Sequence, residues 1–217
     1  MTILERSSLP TPIRRAVDIA ARAVVIELRI YASIGRAIVR RPKIPAGVGF
    51  GYHRPTMTIL IIFIALSAIE IPIIDLIVHP WPPVRIALLV IGIWGLTWMT
   101  GLLCAHFVRP HTVGPDGISV REGLELDIPL AWDDIASVSR SARVDEPRTP
   151  RITESDGRRV LSVRVQNETN VEIELEGPTA VRLPGIAPKG GVQEVDVVRL
   201  WVDDLDGFLA AVRRSIP

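Results

Sequence analysis

The side chains best suited to chemistry are two carboxylates, Glu70 and Asp75, set inside the apolar run MTILIIFIALSAIEIPIIDLIV from Met57 to Val78. An ionisable group in such a setting is costly and commonly faces a partner or a polar pathway. The pair is therefore a candidate intramembrane polar site, for a proton, an ion or a cation on another subunit. Five positions correspond to about 140° around a helix, so the two do not share one ligand unless Pro72 bends the helix between them. The alternative is plain satisfaction: Glu70 protonated or hydrogen-bonded to Thr97, Trp98 or Thr100, and Asp75 reaching the exterior interface.

Other constellations carry less. His79, His106 and His111, with Cys104 nearby, lack regular metal-ligand spacing, and a second apolar stretch separates His79 from the rest. A single cysteine excludes an internal disulfide framework. Gly47, Gly49 and Gly51 alternate with no strand before them and no Lys-Ser/Thr after, so they make no phosphate loop. Ser/His/Asp arrangements, nucleophile elbows and dinucleotide fingerprints are absent from the sequence. The expectation is a non-catalytic protein with no cofactor and no metal.

A membrane segment must position Glu70 and Asp75. The chain has 217 residues, 48% of them hydrophobic, which is apolar for a soluble domain. The run 57–78 and the run VRIALLVIGIWGLTWMTGLLCAHF from Val84 to Phe107 are each long enough to cross a hydrocarbon core of about 30 Å. Between them His79-Pro80-Trp81-Pro82-Pro83 breaks the helix and supplies an interfacial indole. The reading is a transmembrane helical hairpin over 56–108. Fourteen Ile, Leu, Val or Phe residues in the first run favour insertion by roughly 4–8 kcal/mol, against about 2.5–3.5 for an ionised Glu70. Thr97, Gly101 and Ala105 repeat at the spacing that lets membrane helices approach closely, with Ala65 and Ala68 as a matching face or a second copy as partner. No cleavable signal peptide is expected, because the apolar run starts only at residue 57.

Arg40, Arg41, Lys43 and Arg54 precede the hairpin, Arg109 and Arg121 follow it, and the connecting turn has only Arg85. The positive-inside rule then places both termini in the cytoplasm of a multi-pass plasma-membrane protein. Residues 1–55 carry ten Arg or Lys against three acids, a net +7. Within them 11–41 reads as one helix, with Thr11 as N-cap, Pro12 at the first position and Pro42 at the end. Arg15, Arg22, Arg29 and Arg36 recur every seven residues as a basic stripe, with Val24, Tyr31 and Ile38 roughly opposite. Such a stripe binds the lipids of an anionic leaflet or docks on another part of the protein. Residues 109–217, at net −5, are the natural acidic surface for the second option. Gly47–Gly51 reads as a flexible join. Nucleic acid is not an expected partner, since aromatic content of 5% is low for a base-stacking surface.

After Arg109-Pro110 the pattern turns to short strands. Gly114-Pro-Asp-Gly117 is a turn, and Leu124, Leu126, Ile128 and Leu130 alternate as in a half-buried strand. Ile135–Ser139 is another, Val160–Gln166 and Val171–Leu175 flank an Asn167–Asn170 turn as a hairpin, and Val195 to Val202 form the last. A closing helix carries Leu205, Phe208, Leu209, Val212 and Ile216 on one face, with Asp203 as its cap. The expected fold is α+β: the membrane hairpin, then an antiparallel β-barrel capped by this helix over 109–217.

The stretches His111-Thr-Val-Gly-Pro-Asp-Gly-Ile-Ser-Val-Arg-Glu-Gly123, Ile128-Pro-Leu-Ala-Trp-Asp-Asp-Ile-Ala-Ser-Val138 and Leu200-Trp-Val-Asp-Asp-Leu-Asp-Gly-Phe-Leu209 resemble the first strands and the capping helix of bacterial pleckstrin-homology-like domains. Domains of that family often follow a pair of transmembrane helices. The resemblance spans about half the chain, 106–217, and is interrupted by a polar loop at 142–158 and an insertion at 184–194. It implies a binding or scaffold role with a protein partner and no reaction. The net −5 of this region speaks against a strong anionic-ligand site, although Arg140, Arg143, Arg148 and Arg151 gather on or beside the polar loop. The alternative reading is an accessory subunit of a transporter or membrane enzyme, with Glu70 in its polar path.

Overall fold

The protein is described by a computed structural model over residues 11–39, 47–146, 152–185 and 190–216, excluding the side chains of 11–15. Its first element is α1, Thr11–Ile38. The two apolar stretches are α2, Arg54–Ile77, and α3, Pro82–Val108. Both start on prolines in the first turn, where the missing N–H would have had no helical partner, and α2 runs on through Pro72. No side chain of α2 is buried, and α3 buries only Gly101, Ala105 and Val108. Ile62, Phe63, Leu66 and Leu76 are all more than half exposed. By length and composition α2 and α3 are two candidate membrane spans.

The strands form two sheets. The first contains β1 (Val48–Phe50), β2 (His111–Gly114), β3 (Gly117–Glu122) and β4 (Leu126–Ala131), paired antiparallel in chain order. The second contains β5 (Ile135–Arg143), β6 (Ile152–Ser155), β7 (Arg158–Val163), β8 (Thr169–Leu183) and β9 (Gly191–Leu200), in the order β5-β8-β9-β7-β6. All pairings in it are antiparallel except β7 with β9. Every second residue of β4 faces inward, as strand periodicity requires. Val120, Ile128, Leu130, Leu161, Ile173, Val198 and Leu200 from both sheets share one core. Helix α4, Leu205–Ser215, closes it by inserting Phe208, whose ring meets Phe50 edge-on at 5.3 Å.

Four expectations are corrected. No closed barrel forms among the described residues: the chain turns from β4 to β5 through a single 3₁₀ turn at Trp132–Asp134, and the two strand sets stay separate. The join at 47–51 is no loose tether, because Val48–Phe50 pairs with β2 (Val48 opposite Val113, Phe50 opposite His111) and buries Phe50. The hairpin of 160–166 with 171–175 does not form. Its ends meet only through a Val165–Glu168 bridge, while β9 lies between β7 and β8. β7 instead pairs with β6 across a turn at Asp156 and Gly157, both at positive φ. Finally, Asp204 caps α4, accepting from Gly207 N–H at 3.0 Å, and Asp203 serves another helix.

Candidate site at the junction of hairpin and sheets

The β3–β4 turn, residues 123–125, is gripped by three arginines from two helical elements. Arg22 of α1 makes a two-pronged pair with Glu125, at 3.0 and 2.6 Å, across 103 positions of chain. Two helical turns later Arg29 donates to the Leu124 carbonyl at 2.9 Å. Arg109, at the end of α3 and nearly fully buried, donates to the same carbonyl. Arg121 is buried beside them and pairs with Asp127 at 3.1 Å. Of the predicted stripe, Arg22 and Arg29 thus meet the sheets, Arg36 is exposed with no hydrogen bond or ion pair among the described residues, and the side chain of Arg15 lies outside them. The Arg22–Glu125 pair is 41% and 24% exposed, so Arg22→Ala is expected to cost under about 1 kcal/mol. A denaturant titration of the intact chain in detergent checks that value.

The same junction holds α1 against α3. A Cβ on Gly101 would lie 2.2 Å from Ile30 Cγ2 and 3.2 Å from the Ile30 carbonyl oxygen. Ile30, Ala105 and Leu124 form a small buried cluster, with Ile26, Ile34 and Trp98 packed on it. The Gly101 and Ala105 face predicted to receive α2 therefore receives α1. The α2–α3 contact uses Gly92 instead, where Ile71 sits 3.0 Å from the position of an added Cβ.

Below this layer Asp203 holds the start of α2. Its carboxylate accepts from the backbone N–H of His53 (3.0 Å) and of Arg54 (3.2 Å) and from Trp201 Nε1–H (3.3 Å). It satisfies helix-end donors that have no partner within the helix. Asp203→Ala is expected to lower stability by about 1–2 kcal/mol, read as an earlier unfolding transition with Trp201 fluorescence shifted.

His111 is fully buried between the two layers. Arg121 N–H donates to its Nδ1 at 3.0 Å, so Nε2 carries the proton and donates to the Trp201 carbonyl at 3.1 Å. Burial, with no acceptor for a second proton at Nδ1, pulls its pKa from 6.5 to about 4. Tyr52 packs on His111 at 4.7 Å and takes the Gly123 N–H on its hydroxyl at 3.0 Å. Desolvation pushes that hydroxyl's pKa up. Glu122 faces a cleft of about 400 Å³ shared with Ile26, Trp98, His106 and Glu125. Burial without a hydrogen-bond partner among the described residues raises its pKa from 4.5 to about 7.

At the far end of the hairpin, Asp75 is paired with Arg85 through two bonds of 2.6 and 2.9 Å. Glu70 takes no part in that pair and makes no hydrogen bond or ion pair among the described residues. Thr97 and Thr100 donate to Ile93 and Leu96 carbonyls, so neither donates to Glu70. Ser67, Glu70, Asp75 and Arg85 line one apolar-walled cleft of about 260 Å³ with Gly92 and Gly95. The sequence signal that could have found the Asp75 partner was Arg85, the lone cation of the turn region.

The histidines do not converge: His79 is at the turn between α2 and α3, His106 lies on α3 with Nδ1 2.8 Å from the Leu102 oxygen, and His111 is in the core. Among the described residues no three His, Cys, Asp or Glu side chains are placed to hold a metal. Arg140 pairs with Asp206 and Arg143 with Glu172, while Arg148 and Arg151 lie outside the described residues. No family model, no curated protein and no solved structure matches the chain.

Proposed function

We propose that this is a membrane-anchored, non-catalytic interaction protein, in which α2 and α3 cross the plasma membrane and a pleckstrin-homology-like domain is presented at its cytoplasmic face. The observation that carries the reading is the pairing of β1 with β2, one on each side of two apolar helices that the protein leaves uncovered. Strands hydrogen-bonded to each other lie in one compartment, so the hairpin leaves and re-enters the same side. The net +7 of residues 1–55 favours the cytoplasm for that side. Two sheets sharing a core closed by helix α4 support the domain assignment. The role is to hold a protein partner, or a second copy, beside the lipid.

Impermeant maleimide labelling in intact cells tests the topology. A cysteine replacing Pro80 should react, and cysteines added at the two termini should react only after permeabilisation. Labelling of either terminus in intact cells overturns the reading.

The Glu70 cleft supports a second one, an accessory subunit in which Glu70 meets a cation or carries a proton. Glu70→Gln then abolishes assembly or phenotype with the chain still inserted, whereas the interaction reading expects no change.

A further inference from the structure

The placement of α1 resolves where its two unlike sides point. At 100° per residue, Ile26, Ile30, Ser33 and Ile34 make one face, packed toward α3 and the β3–β4 turn. Arg22, Arg29 and Arg36 lie to one side of it, toward the sheets. Val17, Val24, Leu28 and Tyr31 lie about 130° round from the arginines, away from the sheets, with Tyr31 at the edge nearest α3. They are 54, 59, 62 and 45% exposed.

What surrounds that face follows from where α1 crosses α3. Ile30 sits on Gly101, seven residues or about 10 Å inside the end of α3 at Val108. Deeper still, the Glu27 carboxylate accepts from Trp94 Nε1–H at 2.8 Å and from Tyr31 O–H at 2.6 Å. Trp94 lies fourteen residues, about 21 Å, inside the Val108 end, so α1 is fastened alongside the stretch of α3 assigned to the bilayer.

We infer that Val17, Val24, Leu28 and Tyr31 of α1 are seated in the acyl boundary of the inner leaflet, while Arg22 and Arg29 point away from lipid and clamp the sheet domain. α1 is then a lipid-buried bracket, and its polarity is the reverse of a helix that adheres to anionic headgroups through its cations. The inference rests on α2 and α3 being membrane spans.

The test is nitroxide collision with oxygen and with a water-soluble nickel chelate, on the full chain in phosphatidylcholine–phosphatidylglycerol vesicles. The background is Cys104→Ala, with circular dichroism and insertion checked first. Labels at Val17→Cys, Val24→Cys and Leu28→Cys should favour oxygen several-fold, as Ile91→Cys on α3 does, and Arg36→Cys should favour nickel. The pattern should persist when phosphatidylglycerol is replaced by phosphatidylcholine. Nickel access at 17, 24 and 28 with Ile91 still in lipid overturns the inference alone. Nickel access at Ile91 overturns the span assignment itself. Shielding of 17, 24 and 28 from both colliders means a protein surface covers the face and also overturns the inference, as does loss of the pattern without anionic lipid.

Discussion

Glu122→Gln will make the sheet domain acid-labile: as pH falls from 6.5 to 4, its unfolding free energy is expected to drop by about 3 kcal/mol. The cause is His111, whose pKa lies near 6.5 unfolded and about 4 folded. Between those values the unfolded chain binds a proton that the fold refuses, so stability falls as pH falls. Glu122 opposes it. Its pKa rises from 4.5 to about 7 on folding, so in that window the folded chain keeps a proton the unfolded one has lost, and stability falls as pH rises. In the native chain the two slopes overlap between about 4.5 and 6.5 and largely cancel. Removing the carboxyl unmasks the histidine. His111→Gln does the reverse, leaving a loss of about 2 kcal/mol from pH 4.5 to 7, trimmed from the full shift because Glu122 is only part-buried. Denaturant titrations of the native chain and both variants across pH 4–7.5 decide it. A Glu122→Gln profile as flat as the native one contradicts the assignment of these two slopes.

Gly101→Val is expected to release α1 from α3. The added methyls overlap the side chain of Ile30 and crowd its carbonyl oxygen, so the helices must part. Overpacking of this kind costs about 1–3 kcal/mol, enough to raise the detached population roughly 5–150-fold. Trypsin cleavage at Arg22 and Arg29 in nanodiscs measures that rise, because both arginines lose their turn contacts when α1 leaves. Gly95→Val is the matched control on the same helix. An added Cβ there meets nothing within 4 Å, so cleavage should stay at the native rate. Equal cleavage in the two variants would mean that Ile30 on Gly101 does not hold the bracket.

These two predictions depend on contacts that differ greatly in how far the sequence announces them. Hydropathy is a property of a window, so α2 and α3 could be read to within a few residues. The turns at 114–117 and 79–83 were equally readable, since glycine and proline declare themselves locally. β1 was not, because three residues between glycines are too short for any period to register. The displacement of β8 from β7 was hidden for a different reason: the turn at 167–170 suits a hairpin, and only the distant β9 outcompetes it. Asp203 and Asp204 are adjacent acids before one helix, and which of them caps it depends on where α2 begins, some 150 positions earlier. The charge contrast of +7 and −5 did foreshadow Arg22 on Glu125, but small residues on α3 carry no label for the helix that lies on them. Glu70 and Asp75 were both visible as costly groups, and only folding separates the one that is neutralised by Arg85 from the one that is not.

The edge position of Val48–Phe50 against His111–Gly114 has one more implication. The helical pair α2–α3 interrupts the folded domain instead of trailing from it, in the manner of a handle riveted at two points. A protease that nicks the chain once, before α2 or after α3, leaves the sheets tethered to the hairpin through the other rivet. Parting the sheets from the hairpin requires both cuts and the release of Ile30 from Gly101, three separate events.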